Sequence, residues 1–345
     1  MKALINKASC CVIIFICFAL FACSNPNDQI ITINGQTMGT TYTVKYVNVA
    51  EVRVGDSQSL ANELDQRLIK INQLMSTYIS DSELSMLNNA PANQPFPISA
   101  ETAEVIRKAM ELNELSDGML DITVGPIVNL WGFGPRQRPE VIPTQDQLNE
   151  VQRYVGPQSF ELNDNRITKR YDEVYIDLST IAKGYAVDEL SRILESYSVT
   201  NYLVEIGGEM RLSGLKPGQQ DWVVAIEKPT TNERAIQRTI SIGNNAIASS
   251  GDYRNYYEDN GIRFSHLIDP TTAYPIQHKL VAVSVVAPSG IEADGLATAL
   301  IVMGADKGRK LAERENIAAL FITKEADKFV EYRSTAFKQQ VTVIQ

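Results

Sequence analysis

The sequence predicts an α+β fold with mixed, largely antiparallel sheets packed with helices. Strand-like segments follow one another without an intervening helix, from Asn201 to Ile242 and again near the C-terminus. A parallel sheet needs a long crossover between strands, so this order favours antiparallel pairing. Neither a G-x-G-x-x-G nor a Walker A motif occurs, so nothing marks a Rossmann or P-loop core. No short internal repeat is visible, which sets aside solenoids and propellers.

The elements follow from local pattern. Residues 30–47 alternate in places and break at Gly35 and at Met38-Gly39-Thr40-Thr41, as a hairpin would. Leu60, Leu64, Leu68, Ile71 and Leu74 recur at helical spacing. Ser80-Asp-Ser-Glu83 is a turn or capping signal ahead of Leu84 and Leu87. Residues 90–97 read as a proline-rich loop. A helix is expected over 99–115, with Ala103, Ile106, Met110 and Leu115 inward and Gly118 as its stop. Leu130-Trp-Gly-Phe-Gly-Pro135 reads as a structured loop, and 136–144 as a polar surface excursion. Glu173-Val-Tyr-Ile-Asp-Leu178 is β-branched and aromatic and predicts a strand. Ala186, Val187, Leu190, Ile193, Leu194 and Tyr197 then predict an amphipathic helix. Further strands are expected over 201–206, 221–227, 237–242, 279–287, 318–322 and 329–332. Helices are expected over 294–303, ended by Gly304, and near 308–314.

A chain of 345 residues with 44% apolar and 21% charged residues can bury a large core. The net charge of −9, with no basic run, argues against a nucleic-acid partner. Lys2 and Lys7 precede an apolar run, Val12 to Ala22, too short to span a bilayer. Leu20-Phe-Ala-Cys23 resembles a bacterial lipoprotein processing site, although Phe21 departs from the usual small or branched residue. The expectation is therefore a signal peptide over 1–22, lipidation at Cys23, a tether over 23–29 and one folded domain over 30–345. All four cysteines lie at or before Cys23. The mature chain thus has no disulfide and no thiolate nucleophile. Two histidines, His266 and His278, exclude a multi-histidine zinc site, so oxygen-ligated Mg²⁺ is the expected metal.

Five segments carry chemistry. Asp177, Thr180 and Lys183 fall at the predicted strand-to-helix junction, where free backbone N–H groups attract anions. A first-turn lysine opposes the helix dipole, a penalty that a bound phosphate would reverse; a solvated lysine is the plain alternative. Asp294 and Thr298, four residues apart, share a helix face and offer hard oxygen ligands. A dipole-stabilising acid and a threonine bonded to the preceding turn would look the same. Ala248-Ser-Ser-Gly-Asp-Tyr-Arg-Asn-Tyr256 is turn-like and dense in polar groups, with Arg254 suited to a phosphate or carboxylate. Ser265-His-Leu-Ile-Asp-Pro270 reads as a strand, expected to put His266 and Ile268 on opposite sides. His266 is the natural general acid/base. Gly207-Gly208 permits close backbone approach or a hairpin turn.

These segments, with Met38-Gly-Thr-Thr-Tyr42, Ser76-Thr-Tyr78, Asp121-Ile-Thr-Val-Gly-Pro126, Leu130-Trp-Gly-Phe-Gly134 and Glu205-Ile-Gly-Gly-Glu209, resemble in order the ApbE family of FAD:protein FMN transferases. The resemblance runs from about Met38 to Gly304. It implies an α+β, T-fold-related architecture and an exported, Mg²⁺-dependent enzyme. Such an enzyme splits the FAD pyrophosphate, attaches FMN to a Thr or Ser hydroxyl of a target protein and releases AMP. Its implied targets are subunits of membrane redox complexes, the sodium-pumping NADH:quinone reductase or Rnf type. It implies a lipid-anchored location on the periplasmic side of the inner membrane, with the outer membrane as the alternative. Carried over by position, Met38, Tyr78, Met119, Leu120, Asp121, Asp177, Lys183 and Ile268 would line the FAD site. Thr180, through its carbonyl, Asp294 and Thr298 would hold Mg²⁺. His266 or Asp269 would serve as base for the acceptor hydroxyl. An FAD pyrophosphatase, or a lipoprotein that only holds flavin, would use nearly the same residues.

Overall fold

Alternating apolar residues build one eight-stranded sheet whose strands lie side by side in chain order. They are β1 (Gln29–Thr37), β2 (Thr40–Asn48), β3 (Tyr202–Ile206), β4 (Glu209–Ser213), β5 (Ala246–Gly251), β6 (Leu280–Ala287), β7 (Ala318–Glu325) and β8 (Lys328–Arg333). Every neighbouring pair is antiparallel. The computed structural model describes residues 29–48, 54, 56–134, 142–230, 235–252, 256–259, 262–326 and 328–345. The predicted signal peptide, Cys23 and Arg254 lie outside the described residues.

Both faces of the sheet are covered, which is why β6 is buried at all eight positions. Side chains alternate across a strand. Val283 and Val285 of β6 and Ala319 and Phe321 of β7 face a helical layer. That layer comprises α1 (Ser57–Met75), α2 (Glu83–Asn89), α3 (Ala100–Leu115), α6 (Ala182–Ser196) and α7 (Gly290–Arg314). Ala282, Val286, Leu320 and Ile322 face the other way. They pack on a small sheet of 224–227, 236–241 and 342–343 and on α8 (Thr335–Gln340). A satellite core gathers α4 (Gly125–Leu130), α5 (Gln145–Gln152) and the paired strands 256–259 and 262–265 around Trp131. The Trp131 indole stacks on Phe264 at 5.2 Å and donates to the Ala273 carbonyl at 2.9 Å.

Helix starts obey local chemistry. Asp56, Ser82 and Ser99 each accept from a first-turn N–H, and Thr144 with Gln147 forms a full capping box. The Met38-Gly39 pair turns β1 into β2 with φ of 49° and 72°, the left-handed pair that a tight hairpin requires.

Several expectations change. Gly35 does not break β1; the Tyr42 ring covers it, and a Cβ there would lie 2.3 Å from Tyr42 Cε1. In α3, Ala109 and Leu112 are buried while Met110 and Leu115 are half-buried. Residues 125–130 form a helix where none was expected. The 173–178 segment joins no sheet. Residues 246–251 form a strand instead of a turn. The helix expected from 294 begins earlier, at Gly290; the expected stop at Gly304 holds, since its φ of 77° interrupts the helix before a second helical stretch runs on to Arg314.

Candidate active site

Two helix starts meet at the centre of the candidate site. Gly184 of α6 and Gly290 of α7 touch so closely that a Cβ on Gly184 would lie 2.2 Å from the Gly290 carbonyl oxygen. Each helix caps the other. Asp294 Oδ2 on α7 accepts from Gly184 N at 2.9 Å. Asp188 on α6 accepts from Gly290 N at 2.8 Å and Ile291 N at 3.0 Å, and Arg211 Nη1 donates to it at 2.7 Å. The α6 start is therefore already served in part by a carboxylate, rather than left open for an anion.

Beside this crossing lies a cavity of about 450 Å³. Lys183 of α6, Asp294 and Thr298 of α7, Glu209 of β4, and Ser249 and Ser250 of β5 form one polar wall. The Lys183 ammonium meets Glu209 Oε1 at 2.6 Å. Burial works against that ammonium, but Glu209 and then Asp294 more than offset it, so its pKa sits above the ordinary lysine value. Burial pushes Glu209 up against the pull of Lys183. Asp294 is pushed up to about 7, chiefly by burial, with Lys183 opposing and Glu209 adding. Thr298 Oγ1 lies 3.2 Å from Ser250 Oγ.

The opposite wall comes from loops. Asp177 is not on a strand: its N–H donates to the Ile122 carbonyl at 2.7 Å, and its Oδ1 accepts from Ser179 N at 2.9 Å. Asp121 Oδ1 accepts from Thr123 N and Oγ1 at 2.7 and 2.6 Å. Burial raises both carboxyls above the usual range. Met119, Leu120, Thr180, His266 and Ile268 complete the lining. His266 and Ile268 reach the same cavity, not opposite sides, because the chain bends at 266–267 between two strands, and Leu267 lines the cavity as well. Tyr78, 72% exposed, stands between this cavity and a neighbouring one of about 140 Å³. Met38, Ile71 and Met75 line that smaller, apolar space.

The structure thus gathers Tyr78, Met119, Leu120, Asp121, Asp177, Thr180, Lys183, His266, Ile268, Asp294 and Thr298 around one cavity, with Met38 next door. Asp269 is not brought in: it does not line the cavity, and its Oδ1 holds a turn by accepting from Thr271 N and Oγ1 at 2.8 and 2.6 Å. Sequence reasoning singled out the segment holding Ser249 and Ser250 but assigned its chemistry to Arg254, and it missed Glu209 as a site group. The acid directly after Gly207-Gly208 was the available signal, since a hairpin turn at φ 60° and 106° delivers its flanking side chains to one place.

The donor set fits a hard divalent cation. Thr180 Oγ1 and Glu209 Oε2 are buried without a hydrogen-bond partner, and Asp294 carries a carboxylate that burial disfavours. Among the described residues, no group of three or more His, Cys, Asp or Glu side chains is placed to hold a metal. Asp294 with the Thr180 and Thr298 hydroxyls, and Glu209 Oε2 beside them, matches an ion that takes its remaining ligands from water and substrate phosphate.

Comparison with known proteins agrees with this geometry. The profile described as "ApbE family" matches residues 38–321. A curated FAD:protein FMN transferase of Vibrio cholerae serotype O1 is 47% identical over 319 residues, 92% of this chain and 95% of that protein. The Haemophilus influenzae protein of the same description is 46% identical over 345 residues, 98% of each chain. The solved structure "Flavin Transferase ApbE from Vibrio cholerae" superposes with a TM-score of 0.84 at 46% identity, covering 91% of this chain and 99% of that one.

Proposed function

This chain belongs to the ApbE family, and from that premise we propose how its cavity works. It is an enzyme that transfers FMN from FAD to a target protein. The single observation that carries the reading is the cluster of Lys183, Glu209, Asp294 and Thr298 on one wall of a cavity that continues into an apolar pocket at Met38 and Tyr78. A pyrophosphate needs cations and hydrogen-bond donors; an isoalloxazine needs flat apolar or aromatic surface.

In the proposed reaction, a Thr or Ser hydroxyl oxygen of the target bonds to the FMN phosphorus. The bond from that phosphorus to the bridging oxygen breaks, and AMP leaves with the bridging oxygen. His266 takes the hydroxyl proton, since it lines the cavity and Asp269 does not. Lys183, held charged by Glu209, balances the phosphate charge and orients the pyrophosphate. Asp121 and Asp177 present acceptors for FAD hydroxyl or N–H groups. Mg²⁺, held by Asp294, Thr298 and Thr180, would supply Lewis-acid neutralisation of the phosphate oxygens. We also propose that Cys23 carries a lipid and holds the enzyme on the periplasmic side of the inner membrane. Its targets there are subunits of redox complexes of the sodium-pumping NADH:quinone reductase or Rnf type.

Incubating the protein with FAD, Mg²⁺ and a candidate target, then viewing flavin fluorescence on a denaturing gel, tests this reading. Fluorescence on the target band with AMP release is the expected result. Free FMN and AMP without a labelled band would make it a pyrophosphatase. Unchanged FAD would make it a binding protein.

A further inference from the structure

We propose that Asn88 and Lys169 are positioning residues that hold residues 174–178, and with them Asp177, in the geometry that binds FAD; this rests on reading the cavity as the FAD site. Val174, Ile176 and Leu178 are each at most 1% exposed, yet the segment pairs with no strand among the described residues. A buried extended run without a ladder leaves backbone groups that must find other partners. For Ile176, Asn88 supplies both. The Ile176 N–H donates to Asn88 Oδ1 at 2.8 Å, and Asn88 Nδ2 donates to the Ile176 carbonyl at 2.9 Å. One side chain on α2 thereby does what a neighbouring strand residue would do.

Lys169 fastens the start of the same segment to Asn88. It is 1% exposed, and its Nζ donates to the carbonyls of Asn88 at 2.7 Å, Asp172 at 3.0 Å and Val174 at 3.3 Å. An ammonium has three donors, and all three are spent joining the C-terminal end of α2 to the 172–174 backbone. Burying a charge is costly unless its bonds are complete, so this arrangement fixes the segment in one position. Neither residue lines the 450 Å³ cavity. Their effect passes through Asp177, whose own N–H ties the segment to Ile122 beside Asp121. Both cavity-wall carboxylates therefore depend on one clamp.

The test compares wild type with Asn88→Ala and, as a second variant, Lys169→Met. Val199→Ala, a buried core change outside the cavity, provides a comparator with a similar loss in urea midpoint. FAD affinity is read by fluorescence titration of folded protein, and KM for FAD is separated from kcat. The expected result is at least about tenfold weaker FAD binding and a matching rise in KM in both clamp variants, with kcat little changed and Val199→Ala binding like wild type. Unchanged FAD affinity in a folded clamp variant overturns the proposal, as does an equal loss in Val199→Ala. Wild-type protein that binds no FAD overturns the FAD reading itself.

Discussion

His266 and Asp294 show how much single residues decide here. His266 is the titratable side chain on the 265–270 segment that reaches the cavity, whereas Asp269 is occupied in its own turn. If His266 takes the acceptor proton, His266→Ala lowers the transfer rate by about 10²–10⁴-fold with FAD affinity nearly unchanged. A pH–rate profile checks it: the variant should lose a limb that the wild-type profile shows. Asp294 sets a different pH dependence. Burial raises its carboxyl to about 7 in the folded chain, against about 3.9 when unfolded. The folded state therefore holds the proton more tightly, so this group's contribution is most favourable below about pH 4 and is lost progressively as pH rises to about 7. Urea unfolding in EDTA should show that decline in wild type. Asp294→Asn should flatten it, and an equal slope in both proteins would remove Asp294 as its source.

At the scale of elements, the crossing of α6 and α7 does most to assemble the site. The two helices meet at Gly184 and Gly290 because any side chain would hold them apart; a Cβ on Gly290 would sit 2.4 Å from Val187 Cγ2 and 2.5 Å from the Gly184 carbonyl oxygen. Gly290→Ala should therefore destabilise the protein by about 1–3 kcal/mol in urea unfolding. It should also lower transfer activity of the folded fraction, since it pushes Asp294 away from Lys183. Both helices were legible in the sequence from their 3.6-residue periodicity, and so was the shared face of Asp294 and Thr298. The reciprocal caps were not, because Asp188 and Asp294 reach N–H groups about a hundred residues away, at Gly290 and Gly184. The 173–178 strand was expected because β-branched and aromatic residues suit an extended, buried backbone. Composition reports that burial and extension, but not whether the hydrogen-bond partner is a strand or, as here, the Asn88 amide. Glu209 was missed for a related reason: its pairing with Lys183 exists only after β4 and α6 pack.

Across the whole molecule, the sheet acts as a rigid partition. One face packs on the helices that carry Lys183, Asp294 and Thr298; the other packs on a second, separate core. The catalytic wall is thus backed by strands β4 and β5, which contribute Glu209, Ser249 and Ser250 from the interior of the sheet order. Such a scaffold explains how a domain without cysteines after Cys23 keeps its site in register: the constraint comes from burial on both faces. The lipid proposed for Cys23 bears on the edge of the sheet, since the edge strand β1 begins at Gln29, six residues further along the chain. Six residues span at most about 20 Å, so a lipid on Cys23 would keep the domain close to the membrane surface, within reach of membrane-embedded targets. Among the described residues, the groups lining the cavity run from Tyr78 to Val302, within the folded domain. Cys23→Ser should therefore move the enzyme from the membrane to the soluble fraction while leaving FMN transfer to a soluble acceptor within about twofold of wild type, a change near the limit of ordinary surface effects. Membrane flavinylation in cells should fall, because the local concentration conferred by tethering is lost. Wild-type protein recovered without an acyl group on Cys23, or a Cys23→Ser protein that still fractionates with membranes, would refute the anchor.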